Sequence, residues 1–149
     1  MADYSKEDIL QRIPHREPFL WVDQIEAVEG DSIVTSKIVA DDLDIFKGHY
    51  PGNPIMPGVL LCEAIFQSGA LLLCYMRENG RFVSAGTVPV ITRIEGAKFK
   101  RIVLPGDLLE INVKVKEILS NVCFMRGTIR VDGKIAVQTN FACTVTDSA

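Results

Sequence analysis

The chain has 149 residues, 48% of them hydrophobic, with 16 basic and 19 acidic side chains and a net charge of −3. That length and apolar content suit one domain, spanning 1–149, with a substantial core. A general nucleic-acid binder would carry a basic excess, and this chain carries none.

The opening residues, Met1 to Asp8, are polar. No basic start leads into an apolar stretch, so no secretory leader is expected and the expected location is cytoplasmic. Residues 5–12 predict a short helix, with Ser5 as cap and Asp8 three residues on at capping-box spacing. Pro14 stops it. Two strand-like runs follow, Phe19–Val28 and Ser32–Val39, divided by the turn Glu29-Gly30-Asp31. Residues 40–57 are irregular, and the crowding of Pro51, Gly52, Asn53, Pro54 and Pro57 before Gly58 sets a specific loop shape.

From Gly58 to about Arg77 the chain reads as one long helix, stopped by Asn79-Gly80. Its run Val59–Met76 approaches the lower limit for a membrane span, but it carries Glu63, Gln67 and Ser68. It is read instead as the buried centre of a soluble domain, apolar on all faces and therefore surrounded. Strands return at Val88–Val103, with Gly96 as a bulge, and at Leu108–Ile118, where Leu109, Ile111, Val113 and Val115 alternate with polar residues. The runs Val122–Val131 and Ile135–Val145 flank Asp132-Gly133, a hairpin turn. About six strands, mostly in hairpins, and one apolar helix predict an α+β fold: an antiparallel sheet curled around the helix. Cys62, Cys74, Cys123 and Cys143 stand at neither zinc nor redox spacing and read as buried free thiols.

The chemistry concentrates between Gly48 and Gln67. His49, one of two histidines, sits in the proline-fixed loop. An imidazole takes or gives a proton near neutral pH, but a lone histidine is as well explained by a structural role. Glu63 is the only acid in the apolar run. Burial there would raise its pKa and suit it to general-acid work, the alternative being a partner to a buried arginine. Gln67, four residues on along the same helix face, would orient the carboxyl. Gly58 sits at the helix start, where free N–H groups polarise a carbonyl or hold developing negative charge; it also reads as a simple helix entry. Base, buried acid and oxyanion donor together suit proton abstraction next to a thioester carbonyl with loss of a β-hydroxyl.

The segment His49-Tyr50-Pro51-Gly52-Asn53-Pro54-Ile55-Met56-Pro57-Gly58-Val59-Leu60 through Glu63-Ala64 to Gln67 resembles the pattern of the FabZ-type (3R)-hydroxyacyl-acyl-carrier-protein dehydratases. Ile13-Pro14-His15-Arg16-Glu17-Pro18-Phe19-Leu20 is similar to that family's N-terminal element, and Lys98-Phe99-Lys100-Arg101, Pro105-Gly106-Asp107 and Val131-Asp132-Gly133 to its later ones. The resemblance implies a hotdog fold and reversible dehydration of (3R)-3-hydroxyacyl-acyl-carrier protein to the trans-2-enoyl form, in fatty-acid elongation. It also implies a homodimer in which His49 of one chain faces Glu63 of the other, with further assembly as a trimer of dimers. No metal or organic cofactor is implied, since the carrier's phosphopantetheine arm delivers the substrate. In these terms His49 removes the C2 proton, Glu63 protonates the leaving hydroxyl and the Gly58 N–H holds the thioester oxygen. Glutamate at 63, where FabA-type relatives place aspartate, favours dehydration without isomerisation.

His15 and Arg16 read as structural, and Trp21 as packing. Lys98, Lys100 and Arg101, with Lys47 and Arg126, form either a docking patch for the acidic carrier or a solvated strand face. The family's aromatic near Val90 is missing, and Phe66 is a candidate to supply it; Arg93 stands where a small residue is usual. The rival readings are a hotdog acyl thioesterase, a hydratase of CoA-bound intermediates and a non-catalytic acyl-thioester-binding domain.

Overall fold

A computed structural model of the chain describes residues 3–86 and 88–147. The ends of the 1–149 span, at 1–2 and 148–149, lie outside the described residues. Helix α1 (Lys6–Leu10) starts where predicted, and the Asp8 carboxylate accepts from both the Ser5 N–H (2.7 Å) and the Ser5 hydroxyl (3.1 Å). Strands β1 (Gln24–Glu29) and β2 (Ser32–Ile38) form the first hairpin, turned at Gly30 with φ of +57°. A short 3-10 helix, Asp44–Lys47, leads into the proline-rich loop, and α2 then runs Gly58–Glu78. Strands β3 (Val88–Phe99), β4 (Leu108–Leu119), β5 (Val122–Val131) and β6 (Lys134–Thr146) complete the chain.

All strands join one antiparallel sheet in the order β1-β2-β4-β5-β6-β3, with α2 laid across it. This is the hotdog arrangement the resemblance implied. Gly96, at φ of +71°, sits where the β3–β6 register slips, so the expected bulge is present. The β4 residues Leu109, Ile111 and Val113 are buried as their alternation predicted.

Thirteen of the 21 residues of α2 are buried, so the apolar run is a core helix. Each of its fully buried leucines and isoleucines (Ile65, Leu71, Leu72, Leu73) contributes about 1.5–3 kcal/mol. Close seating depends on two glycines. A Cβ on Gly69 would lie 2.8 Å from Phe141 Cζ, and one on Gly127 would overlap Ile65. The buried Thr35 and Ser68 hydroxyls join β2 to α2 at 2.7 Å, and Ser68 also donates to the Ala64 carbonyl. All four cysteines are free and buried.

Three expectations need correction. Residues 19–23 belong to no strand: the Gln67 side chain of α2 takes the Phe19 carbonyl and the Trp21 N–H, while Asp23 N–H donates to the Ser36 carbonyl of β2 at 2.9 Å. β3 ends at Phe99, not Val103. Beyond it Lys100 and Arg101 donate to the Ala136 carbonyl, and Val103 turns to accept from Met56 N–H at 2.8 Å, tying this segment to the loop. Finally, α2 is not enclosed on every side. Val59 is 76% exposed, and Glu63 and Phe66 are only partly buried.

Candidate active site

His49 is half-buried in a loop held by its own backbone. Its N–H donates to Ile45 at 3.0 Å, and its carbonyl accepts from Ile55 N–H at 3.2 Å. The ring closes a reciprocal bond, with Nδ1 2.8 Å from the Ile55 carbonyl. A carbonyl only accepts, so Nδ1 carries the hydrogen and the neutral ring keeps its lone pair on Nε2. The Tyr50 ring stacks on the imidazole at 4.2 Å. The imidazole is thereby oriented with a basic nitrogen free.

Gly58 opens α2 behind Pro57, whose carbonyl takes the N–H groups of Leu60 and Leu61. The first N–H groups of a helix have no intrahelical acceptor, so that of Gly58 is available to an incoming oxygen. A Cβ here would meet Phe99 Cε1 at 2.8 Å, so the end of β3 covers the helix start.

Glu63 lies one turn further along, its side chain 23% exposed. The fully buried Gln67 holds it: Gln67 Nε2 donates to Glu63 Oε2 at 2.9 Å and to the Phe19 carbonyl at 2.9 Å, while Gln67 Oε1 accepts from Trp21 N–H at 2.7 Å. Trp21 N–H can only donate, so the amide oxygen must face it and the NH₂ must face the carboxyl. The predicted Gln67–Glu63 pairing is therefore present, and Gln67 also pins the 19–21 backbone. Lys37, nearly buried, pairs with Asp23 at 3.1 Å and lies over the Trp21 ring, so Trp21 is a packing residue as read from the sequence.

The Glu63 carboxyl faces a cavity of about 150 Å³ lined by His15, Phe66, Ala70, Pro89, Val90, Ile91 and Cys143. Six of these side chains are apolar or weakly polar, and the Glu63 carboxyl and His15 imidazole supply the polar part of the wall. Phe66, tilted against Phe141 at 5.0 Å, is the aromatic in the wall. Arg93 points away and pairs with Glu95 at 2.9 Å. His49 is not among the residues that line this cavity.

His15, read from the sequence as structural, lies beside Glu63. Its Nε2 lies 3.6 Å from Glu63 Oε2, and it shares the cavity wall. Burial pushes its pKa below the ordinary value, the Glu63 charge opposing that and Arg16 adding to it. Lys98, Lys100 and Arg101 are exposed at the end of β3, and Arg126 joins Lys98 around a shallow depression. Lys47 pairs with Asp44 at 3.1 Å in the 3-10 helix. Among the described residues no cluster of three or more His, Cys, Asp or Glu is arranged to hold a metal.

The FabA-like domain model matches residues 13–140. The chain is 37% identical to the 3-hydroxyacyl-acyl-carrier-protein dehydratase FabZ of Caulobacter sp. (strain K31), covering 99% of this chain and 90% of that protein. It is 39% identical to the protein of the same name from Clostridium perfringens (strain SM101 / Type A), covering 87% and 89%. Among solved structures it resembles the dehydratase heterocomplex ApeI:P from Xenorhabdus doucetiae, with a TM-score of 0.77 at 15% identity over 94% of this chain and 91% of that one. A hypothetical thioesterase with coenzyme A from Streptococcus pneumoniae TIGR4 has the same fold, with a TM-score of 0.64 at 15% identity over 95% and 94%.

Proposed function

The chain belongs to the FabA-like domain family, among the FabZ-type dehydratases, and from that premise we propose that it interconverts (3R)-3-hydroxyacyl and trans-2-enoyl groups on acyl carrier protein in fatty-acid synthesis. The observation that carries this reading is a carboxyl, Glu63, held by the Gln67 amide at the wall of a cavity it shares with Phe66, Pro89, Val90 and Ile91. Simple binding would not require this carboxyl, and a hotdog thioesterase, which also uses an acid, would not require the loop that carries His49.

In this scheme the Nε2 lone pair of His49 takes a proton from C2. Negative charge developing on the thioester oxygen is met by the Gly58 N–H. Glu63 gives its proton to the C3 hydroxyl, the C3–O bond breaks, and water leaves as the C2=C3 bond forms. No step passes through a metal or organic cofactor. Glutamate at 63 favours release of the 2-enoyl product without isomerisation.

The dimer is part of the proposal. His49 lies outside the Glu63 cavity of its own chain, so a second copy supplies it. Two features support a partner on this face. β3 is the last strand of the sheet, with one edge unpaired in the chain. Around it Tyr50, Val59, Ile94, Phe99 and Ile102 are more than half exposed, more apolar surface than a free face usually carries. Further assembly into a trimer of dimers, a single dehydratase domain over 1–149, a cytoplasmic setting suited to four free thiols, and carrier docking through Lys98, Lys100 and Arg101 complete the reading.

The test follows enoyl-thioester absorbance from 3-hydroxyacyl-carrier protein, with free thiol measured in parallel. Wild type is expected to form enoyl product without releasing thiol. Folded His49→Ala and Glu63→Gln variants should each lose about 10²-fold or more in kcat. Thiol release without enoyl product would instead identify a thioesterase, and near-normal turnover in either variant would remove that residue from the scheme.

A further inference from the structure

The N-terminal element is held by its own hydrogen bonds around His15. Arg16 folds back on it, its Nη1 donating to the carbonyls of Ile13 (2.8 Å) and His15 (2.7 Å) and its Nη2 to that of Leu10 (2.8 Å). Phe19 N–H closes a turn onto the Arg16 carbonyl at 2.8 Å, and Gln67 ties Phe19 and Trp21 to α2. Between these two anchors the backbone has little freedom, and what it presents is the His15 ring, with Nε2 3.6 Å from Glu63 Oε2.

The remaining ring nitrogen decides the tautomer. His15 Nδ1 is buried without a hydrogen-bond partner among the described residues. A buried N–H left without an acceptor is costlier than a bare lone pair, so the hydrogen belongs on Nε2, facing the carboxyl. The 3.6 Å separation is longer than a hydrogen bond, and catalytic contacts of this kind commonly tighten when substrate fills the site. Glu63 Oε2 then has two donors, the Gln67 amide at 2.9 Å and the His15 Nε2–H. An oxygen receiving two hydrogen bonds is a poor place for a proton, which goes to Oε1.

We infer that His15 is a positioning residue: with Gln67 it engages Glu63 Oε2 and so reserves Oε1 as the oxygen that carries and delivers the acid proton. This rests on the dehydratase reading of Glu63. It assigns His15 no contact with the reacting atoms.

Two variants and one spectroscopic measurement test it. His15→Phe keeps a ring but no donor; His15→Gln restores an N–H near the place of Nε2. The phenylalanine variant should lose about 10- to 100-fold in kcat, the range of a hydrogen bond to a charged group, with KM little changed. The glutamine variant should recover most of that loss. Full kcat in His15→Phe overturns the inference. So does equal loss in both variants together with a lowered melting temperature, because that pattern describes a packing role. Independently of turnover, ¹⁵N spectra of the wild-type protein should show His15 as the Nε2–H tautomer, and the Nδ1–H tautomer would overturn the inference even if the phenylalanine variant fails to fold. If wild type forms no enoyl thioester, the dehydratase reading fails, while the tautomer still decides the arrangement around Glu63.

Discussion

The loop that carries His49 and the helix face that carries Glu63 are built by opposite means. The loop is local. The partners of His49 are Ile45 and Ile55, and Asn53 closes a turn onto Tyr50, so the sequence between 45 and 56 contains nearly everything that orients the imidazole. The acid site is assembled from a distance. Glu63 depends on Gln67, which is engaged with Phe19 and Trp21, 48 and 46 residues away, and on His15 across the cavity. The orientation of His49 should therefore tolerate changes elsewhere in the fold, whereas that of Glu63 is hostage to the N-terminal element.

The largest effect that separates the two is expected from Gln67→Leu. The substitution keeps the volume but strands the buried Trp21 N–H, frees the part-buried Phe19 carbonyl and takes a donor from Glu63. A stranded buried backbone group costs about 1–3 kcal/mol, so urea unfolding should show a loss of about that size. Turnover should fall as well. The His49 imidazole signals in an NMR spectrum should stay where they are, and movement of those signals would break the comparison.

The same contrast explains what could be read without a structure. The loop was legible because Pro51, Pro54 and Pro57 restrict the backbone at their own positions, and His49 is then fixed by residues within reach along the chain. The sheet was legible because alternation at Leu109, Ile111 and Val113 and the Asp132-Gly133 turn are short-range signals. Helix α2 announced itself by length and apolarity, though the exposure of Val59 and the partial exposure of Glu63 did not, since they depend on how the sheet covers the helix. The strand-like pattern at 19–23 misled for a related reason. Leu20, Trp21 and Val22 do go inside, but the partner for the Phe19 and Trp21 backbone is the side chain of Gln67, which no local pattern reveals. The proximity of His15 to Glu63 was not legible, because the two lie 48 positions apart along the chain.

A smaller effect should appear at the junction of the two regions, where the loop becomes the helix. In Gly58→Ala the new methyl group would stand 2.8 Å from the Phe99 ring. Phe99 is 53% exposed and able to shift, so the melting temperature should change little. The helix start would nevertheless be displaced from the substrate oxygen, and kcat should fall about tenfold, short of the 10²–10³ expected for complete loss of an oxyanion donor. Unaltered kcat would remove Gly58 from the carbonyl site and leave it a helix entry only.

The smallest effect concerns stability against pH and isolates the N-terminal side of the acid site. Burial holds the pKa of His15 below its ordinary 6.5 in the folded chain. Above 6.5 the imidazole is neutral whether the chain is folded or not, and its contribution to stability is fully present. As the pH falls below that value the unfolded chain takes up a proton first, so stability is progressively lost until the folded-state pKa is passed. Glu63 opposes this by favouring the imidazolium, and Arg16 reinforces it. Asp8 is also held below its ordinary 3.8, chiefly by the Ser5 N–H, but its loss belongs to a separate, more acidic window. Urea midpoints measured downward from pH 7 should therefore decline for wild type just below 6.5, and the decline should flatten in His15→Gln, which has no proton to gain there. A parallel decline in both proteins would mean that the imidazole is equally free to charge when folded, which is incompatible with a neutral ring held against Glu63 by the N-terminal element.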